Sequence, residues 1–223
     1  MSNPPISVAI IDDQALFRAG IRMLVSSQPD LDFVGEAADG VEGVAMVLAC
    51  SPDVVLMDIR MPVMDGIAAT AEIIGAAQRD GRTPPRVIVL TTFDLDEAAA
   101  RAIRGGASGF VLKDAEPEFL LAAIRTVHAG NAVIAAAATR ELFQRFAPSA
   151  PPRTRPAAYE SLTAREGEIF LLAARGLSNS EIAVGEFLSE ATVKTHMSRI
   201  LSKLGLRDRV QLVVYAFEHG LVA

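Results

Sequence analysis

Cysteine occurs once in the chain, at Cys50, which excludes an intrachain disulfide. Its place in the apolar stretch VAMVLAC predicts a buried small hydrophobe rather than a catalytic thiol. No apolar run approaches the roughly 18–20 residues needed to cross a bilayer, so no membrane span is expected. The start, MSNPPISVAIIDD, has no basic segment ahead of its apolar stretch, and no secretory signal is expected. Charge is moderate and 51% of the 223 residues are apolar, which excludes a disordered chain. What remains is a folded protein of one large or two smaller domains, expected in the cytoplasm.

What charge there is, a net −6, is unevenly spread. Residues 1–150 carry 12 basic against 19 acidic side chains, whereas residues 151–223 carry 9 against 8. Within the second part, TVKTHMSRILSKLGLRDR concentrates Lys194, Arg199, Lys203, Arg207 and Arg209. A basic stripe on an acidic protein suggests one surface for a polyanion, although a solvated helix face would look the same.

The first 130 residues alternate short apolar runs with amphipathic segments. ISVAIID, LDFVGEA, DVVLMD, RVIVLT and GFVLK read as strands. ALFRAGIRMLVSS, GVEGVAMVLA, GIAATAEIIGAA, DEAAARAIRGG and EPEFLLAAIRTVHAG read as helices, the last with Pro117 suited to its first turn. Five βα units with nearly all-apolar central strands predict an α/β fold, a doubly wound five-stranded parallel sheet covered on both faces. In such folds ligands gather beyond the carboxyl ends of the strands. Polar residues fall at those ends: Asp12 and Asp13 after strand one, Asp58 after strand three, Thr91 after strand four and Lys113 after strand five. A polar residue at any single strand end is ordinary. Three carboxylates, a hydroxyl and an amine converging on one rim form a constellation with chemistry in it.

After His128 the pattern changes. NAVIAAAATRELFQRF reads as a helical extension and APSAPPRTRPAAYES as a semi-extended tether, so residues 131–160 form a linker between domains at 1–130 and 161–223. The second domain is all-α. Thr163-Ala-Arg-Glu166 and Ser178-Asn-Ser-Glu181 match the capping-box pattern at two helix starts, and Gly176 sits where the first helix stops. Ser189 caps a third helix over about 190–204, ended by Gly205, and a fourth runs over about 208–218. Helices two and three fit a helix-turn-helix within a four-helix domain, an outline that a generic helical bundle shares.

At these residues a family is identifiable. IIDD, DVVLMDIRMPVMDG, VIVLTT and GASGFVLKD make residues 6–130 resemble a CheY-like receiver domain. LTAREGEIF, GLSNSEIA and SEATVKTHMSRILSKLGL make residues 160–222 resemble a LuxR-like helix-turn-helix. Together the two parts resemble a response regulator of the NarL/FixJ type. The resemblance implies that Asp58 is phosphorylated by a sensor histidine kinase and that the chain then regulates transcription by binding double-stranded DNA. It further implies that Mg²⁺ is held by Asp13, Asp58 and the backbone carbonyl of Arg60, with Asp12 helping through water. Lys113 would pair with the phosphoryl group and Thr91 would hydrogen-bond it, while Phe110 matches an aromatic switch position. The chemistry agrees, because a carboxylate attacks an anionic phosphoryl group only where cations offset the repulsion.

In the third helix, Lys194, Thr195 and Ser198 share a face and are the expected base-edge contacts in the major groove. Thr192, Arg199 and Lys203 are the expected phosphate anchors. His196 suits either a backbone contact or a packing role. Val193, Met197, Ile200, Leu201 and Leu204 form the opposite, buried stripe. VQLVVYAFEHGLV on the fourth helix is expected to expose a dimer face through Leu212, Val213 and Ala216, and an active homodimer would read paired half-sites.

The chain departs from the resemblance at Glu186, where relatives usually carry Leu, and at the adjacent Gly185. An unpaired buried charge is costly, so the turn is expected to repack around Phe187, leaving Glu186 in solvent and the domain softened. Arg60 is expected to fence the phosphoryl group from water. Two other readings compete. One is a phosphatase of the haloacid-dehalogenase type, which lacks support because position 60 is Arg rather than a second Asp and no substrate cap is evident. The other is a DNA-binding regulator whose first domain answers to a protein or small molecule instead of phosphate.

Overall fold

A computed structural model describes residues 4–91, 97–130 and 156–222. The expected helical extension and Pro-rich tether at 131–155 lie outside the described residues. The chain divides into two compact units, 1–133 and 134–223, each described by itself.

The first unit alternates strand and helix throughout: β1 (Ile6–Ile11), α1 (Ala15–Ser26), β2 (Leu31–Ala37), α2 (Gly40–Cys50), β3 (Val54–Asp58), α3 (Gly66–Arg79), β4 (Arg86–Thr91), α4 (Glu97–Arg104), β5 (Gly109–Leu112) and α5 (Pro117–His128). The strands form one parallel sheet in the order β2-β1-β3-β4-β5. A parallel pair needs a crossover, and each crossover here is a helix that covers one face. The central strand β3 has no exposed face, so its run is continuously apolar: Val54, Val55, Leu56 and Met57 are all fully buried. On one face Val8, Ile10, Leu56, Ile88 and Val111 pack with Ile21 and Val25 of α1 and with Leu120, Leu121 and Ile124 of α5. Alternate residues point the other way. Ile11 lies so close to Gly43 of α2 that a Cβ there would sit 2.6 Å from its Cδ1.

Cys50 is exposed, contrary to expectation. It is the last residue of α2, whose buried residues are Gly40, Gly43 and Val47, and its Sγ lies 3.6 Å from Met46 Sδ. An apolar helix whose residues face in all directions cannot bury every one of them.

The described residues of the second unit form helices only: α6 (Ala157–Glu160), α7 (Ala164–Ala174), α8 (Asn179–Gly185), α9 (Glu190–Leu204) and α10 (Arg209–Glu218). The four-residue α6 is additional to the four expected helices. It lays Tyr159 edge-on against Phe170, with ring centroids 5.1 Å apart, so the domain's packing begins ahead of residue 161. Both expected capping boxes are present, at Thr163/Glu166 and Ser178/Glu181. Gly205 ends α9 in the left-handed region, at φ 65°, a conformation that a β-carbon disfavours. Ile169, Phe170, Ile182, Val193, Met197, Ile200 and Leu212 form the core.

Candidate functional sites

The register of the sheet assembles the acidic rim. Ile11 pairs with Met57, so Asp12, one residue on, emerges beside Asp58. Thr91 pairs with Leu112, and the Lys113 N–H donates to the Thr91 carbonyl at 2.7 Å. Four strand ends therefore share one edge. Arg18 of α1 donates to the Asp12 carbonyl at 2.6 Å and fixes the turn that presents Asp12 and Asp13.

The stretch after Asp58 turns back sharply because α3 starts almost on top of it. Asp65 caps the helix by accepting from the Ala68 N–H at 2.8 Å. The Gly66 N–H donates to the Ile59 carbonyl at 3.0 Å. A Cβ at Gly66 would lie 1.8 Å from the Asp58 carbonyl oxygen, so only glycine permits this approach. The Asp-Gly pair thereby locks the position of Asp58.

Asp12 is fully buried, Asp58 nearly so and Asp13 exposed, and one carboxylate oxygen of each lies within 4.8 Å of the others. Lys113 Nζ reaches 2.7 Å from Asp12 Oδ2 and 3.0 Å from Asp58 Oδ2, with its side chain only 7% exposed. Burial pushes the Asp58 carboxyl above its ordinary range, against the pull of Lys113 and a backbone N–H from Arg60. Burial also penalises the Lys113 ammonium, but its bonds to Asp12 and Asp58 outweigh that cost and hold its pKa above the usual value. Thr91 is buried at the same rim, Arg60 is exposed, and Phe110 is buried at 8% in β5. Three carboxylates against one ammonium leave an excess of negative charge and hard oxygen donors, a set that fits a small divalent cation.

The second candidate site is α9. Lys194, Thr195, Ser198 and Arg199 are exposed along it, and Thr192 is half-buried. Thr192 belongs to the helix cap: its N–H donates to Ser189 Oγ at 3.1 Å. Thr195 hydroxyl donates to the Ala191 carbonyl at 2.9 Å, and Lys194 lies 3.8 Å from Glu190. His196 is half-buried. Val193, Met197, Ile200 and Leu204 are buried, with Leu201 half-buried beside them.

Two expectations fail in this domain, and a third residue has a partner inside the protein. Lys203 is exposed, and its Nζ lies 2.6 Å from Glu166 Oε2, at the start of α7. That lysine, with the Thr163 N–H, draws the Glu166 carboxyl down to about 2. The apolar dimer face is not exposed, because Leu212, Val213 and Ala216 are all fully buried. Leu212 and Ala216, one helical turn apart, belong to the domain core. The turn does not repack around Phe187, which is 95% exposed with φ 55°. Glu186 is instead held by Arg165, whose Nη1 lies 2.5 Å from its carboxylate and whose Nη2 donates to its backbone carbonyl at 3.1 Å. Sequence reasoning missed Arg165 and the tie between Glu166 and Lys203. The capping box marked Glu166, but no local pattern marks a partner 37 residues away.

Comparison with known proteins assigns each unit to a family. Residues 8–125 match the response regulator receiver domain, and residues 160–216 match the luxR family of bacterial regulatory proteins. The uncharacterized transcriptional regulatory protein YxjL of Bacillus subtilis is 38% identical over 222 residues, spanning 100% of both chains. The response regulator VraR of Staphylococcus aureus is 38% identical over 217 residues, covering 97% of this chain and 99% of its own. A solved LuxR-family response regulator from Aurantimonas is 30% identical with a TM-score of 0.55, covering 63% of this chain and 97% of its own.

Proposed function

Because this chain belongs to the two-component response regulators that join a receiver domain to a LuxR-type DNA-binding domain and regulate transcription, we propose that Asp58 is its phosphoryl acceptor and α9 its DNA reader. The donor is a sensor histidine kinase. One observation carries the reading: the carboxylates of Asp12, Asp13 and Asp58 converge within 4.8 Å, with Lys113 Nζ 3.0 Å from Asp58.

In the transfer, an Asp58 oxygen attacks the phosphorus of a phosphohistidine. The P–O bond forms as the P–N bond breaks, and the imidazole leaves with the electron pair and takes up a proton. The product is an acyl phosphate, a mixed anhydride that hydrolyses and lets the signal expire. Lys113 follows the negative charge from the Asp58 carboxylate onto the phosphoryl oxygens, where it stabilises the charge spread over them. The Thr91 hydroxyl donates to the same group. Asp12, Asp13, Asp58 and the Arg60 carbonyl would hold Mg²⁺, which when bound offsets the charge of the carboxylates and the incoming phosphoryl group. Arg60, exposed at the rim, screens the anhydride from water. Drawing Thr91 inward gives Phe110 room to change rotamer, a shift between two packings of the same fold.

The output is DNA binding by a dimer in the cytoplasm, with Lys194, Thr195 and Ser198 facing base edges and Arg199 on phosphate. The family assignment replaces the phosphatase reading. Incubation with acetyl phosphate and Mg²⁺, followed by mass spectrometry, tests the acceptor: the chain gains one phosphoryl group, and Asp58→Asn does not. DNA affinity and oligomeric state are measured on the same sample. No gain at Asp58 would promote control by a bound protein or small molecule.

A further inference from the structure

The Lys113 ammonium forms ion pairs with two carboxylates, at 2.7 Å from Asp12 and 3.0 Å from Asp58. The ammonium also lies 5.0 Å from the centroid of the Phe17 ring in α1. A cation at that distance from a ring face is attracted by the ring's quadrupole, and more strongly where water is excluded. The Lys113 side chain is 7% exposed, so water is largely excluded here.

Beside this contact lies a cavity of about 520 Å³ between α1, β5 and α5, and both Phe17 and Lys113 line it, with Leu90, Leu112 and Leu120. The cavity gives the flexible lysine stem somewhere else to go. When the Asp58 carboxylate becomes an anhydride, one of the two anionic anchors of Lys113 changes its position and charge. An anchor that carries no formal charge and takes no part in the reaction keeps the ammonium at the rim during that exchange. The Phe17 ring has these properties. It neither titrates nor competes with a phosphoryl oxygen for a strong hydrogen bond.

We propose that Phe17 is a positioning residue for phosphoryl capture, holding the Lys113 ammonium against Asp12 and Asp58 and out of the neighbouring cavity. The proposal rests on the reading of Asp58 as the acceptor. It is a property of this rim alone and needs no kinase, so a small-molecule donor tests it.

The experiment uses the full chain with Mg²⁺ and phosphoramidate, following uptake by mass spectrometry. Phe17→Leu keeps an apolar wall and removes the ring; its initial uptake rate falls roughly 3- to 10-fold. Phe17→Tyr keeps the ring face, and its hydroxyl has the cavity to enter; it restores uptake. In a Lys113→Met background, Phe17→Leu produces no further loss, because the ring acts only through the ammonium. The Lys113 side-chain protons are shifted upfield by the ring in the wild type and the Tyr variant, and return to ordinary positions in the Leu variant. Wild-type uptake by Phe17→Leu overturns the proposal, as does an equal loss in the Lys113→Met background, which marks a purely structural residue. If the wild type itself takes up no phosphoryl group, the acceptor role of Asp58 falls and that of Phe17 falls with it.

Discussion

Replacing Glu166 by Gln tests whether the basic stripe of α9 is partly internal wiring. The Glu166 carboxylate accepts from the Thr163 N–H at 2.8 Å and lies 2.6 Å from Lys203 Nζ. Its residue is only 4% exposed. Lowering a carboxyl from 4.5 to about 2 corresponds to about 3 kcal/mol between charged and neutral forms. The Lys203 side chain is 37% exposed, so solvent screens the pair and about 1–2 kcal/mol remains. Gln keeps the size and one acceptor, so the loss isolates the charge. For a domain of this size the melting temperature should fall by roughly 5–10 °C at pH 7. The pH dependence follows from the direction of the shift. A carboxyl depressed in the fold stabilises above its unfolded value of 4.5, and that stability is lost as pH falls toward about 2. Calorimetry of the full chain, tracking the transition that magnesium leaves unmoved, should show the gap between wild type and Glu166→Gln falling by more than half by pH 3. A gap absent at pH 7, or one that does not narrow in acid, would refute the pairing.

Other outcomes follow from the same geometry. Asp58→Asn should raise the melting temperature of the first domain at pH 7 in metal-free buffer. Burial raises the Asp58 carboxyl, so the fold loses stability as pH rises above the unfolded carboxyl value, and the neutral amide escapes that cost; a fall would contradict it. Gly66→Ala drives a methyl into the Asp58 carbonyl and should cost about 3 kcal/mol or more, with loss of phosphoryl uptake; wild-type stability and uptake would contradict the locked turn. Glu186→Leu should lower the melting temperature of the second domain, because Arg165 loses the Glu186 carboxylate and keeps only Glu168 and the Glu186 carbonyl. A rise would restore the softened-turn reading. Arg209→Met removes donors to Asn179 Oδ1, at 2.9 Å, and to the Leu177 carbonyl, and should cost about 2 kcal/mol in urea unfolding.

The sheet and its rim were legible because the physics that makes them is local. A strand buried on both faces must be apolar along its length, and a polar residue that ends such a run must sit at the sheet edge. Asp12, Asp58 and Lys113 announce themselves that way, and the register then brings them together. The turn after Asp58 was visible as Asp-Gly, but its reason, the Asp58 carbonyl 1.8 Å from a would-be Cβ, depends on where α3 lands. In the second domain the failures share one cause. Glu186 and Val213 were read from their own helices, but their partner or cover lies elsewhere in the chain. An amphipathic pattern identifies a face and says nothing of what meets it. Lys203 has the spacing of a phosphate contact and the partner of a strut. Glu186 breaks the apolar pattern of the turn and is matched by Arg165, 21 residues earlier. The exposed basic residues of α9 therefore differ in what they meet: Lys194 lies beside Glu190 of its own helix, while Lys203 ties α9 to Glu166 at the start of α7. A recognition helix needs both, since a cation aimed at DNA gains nothing unless another holds its helix still.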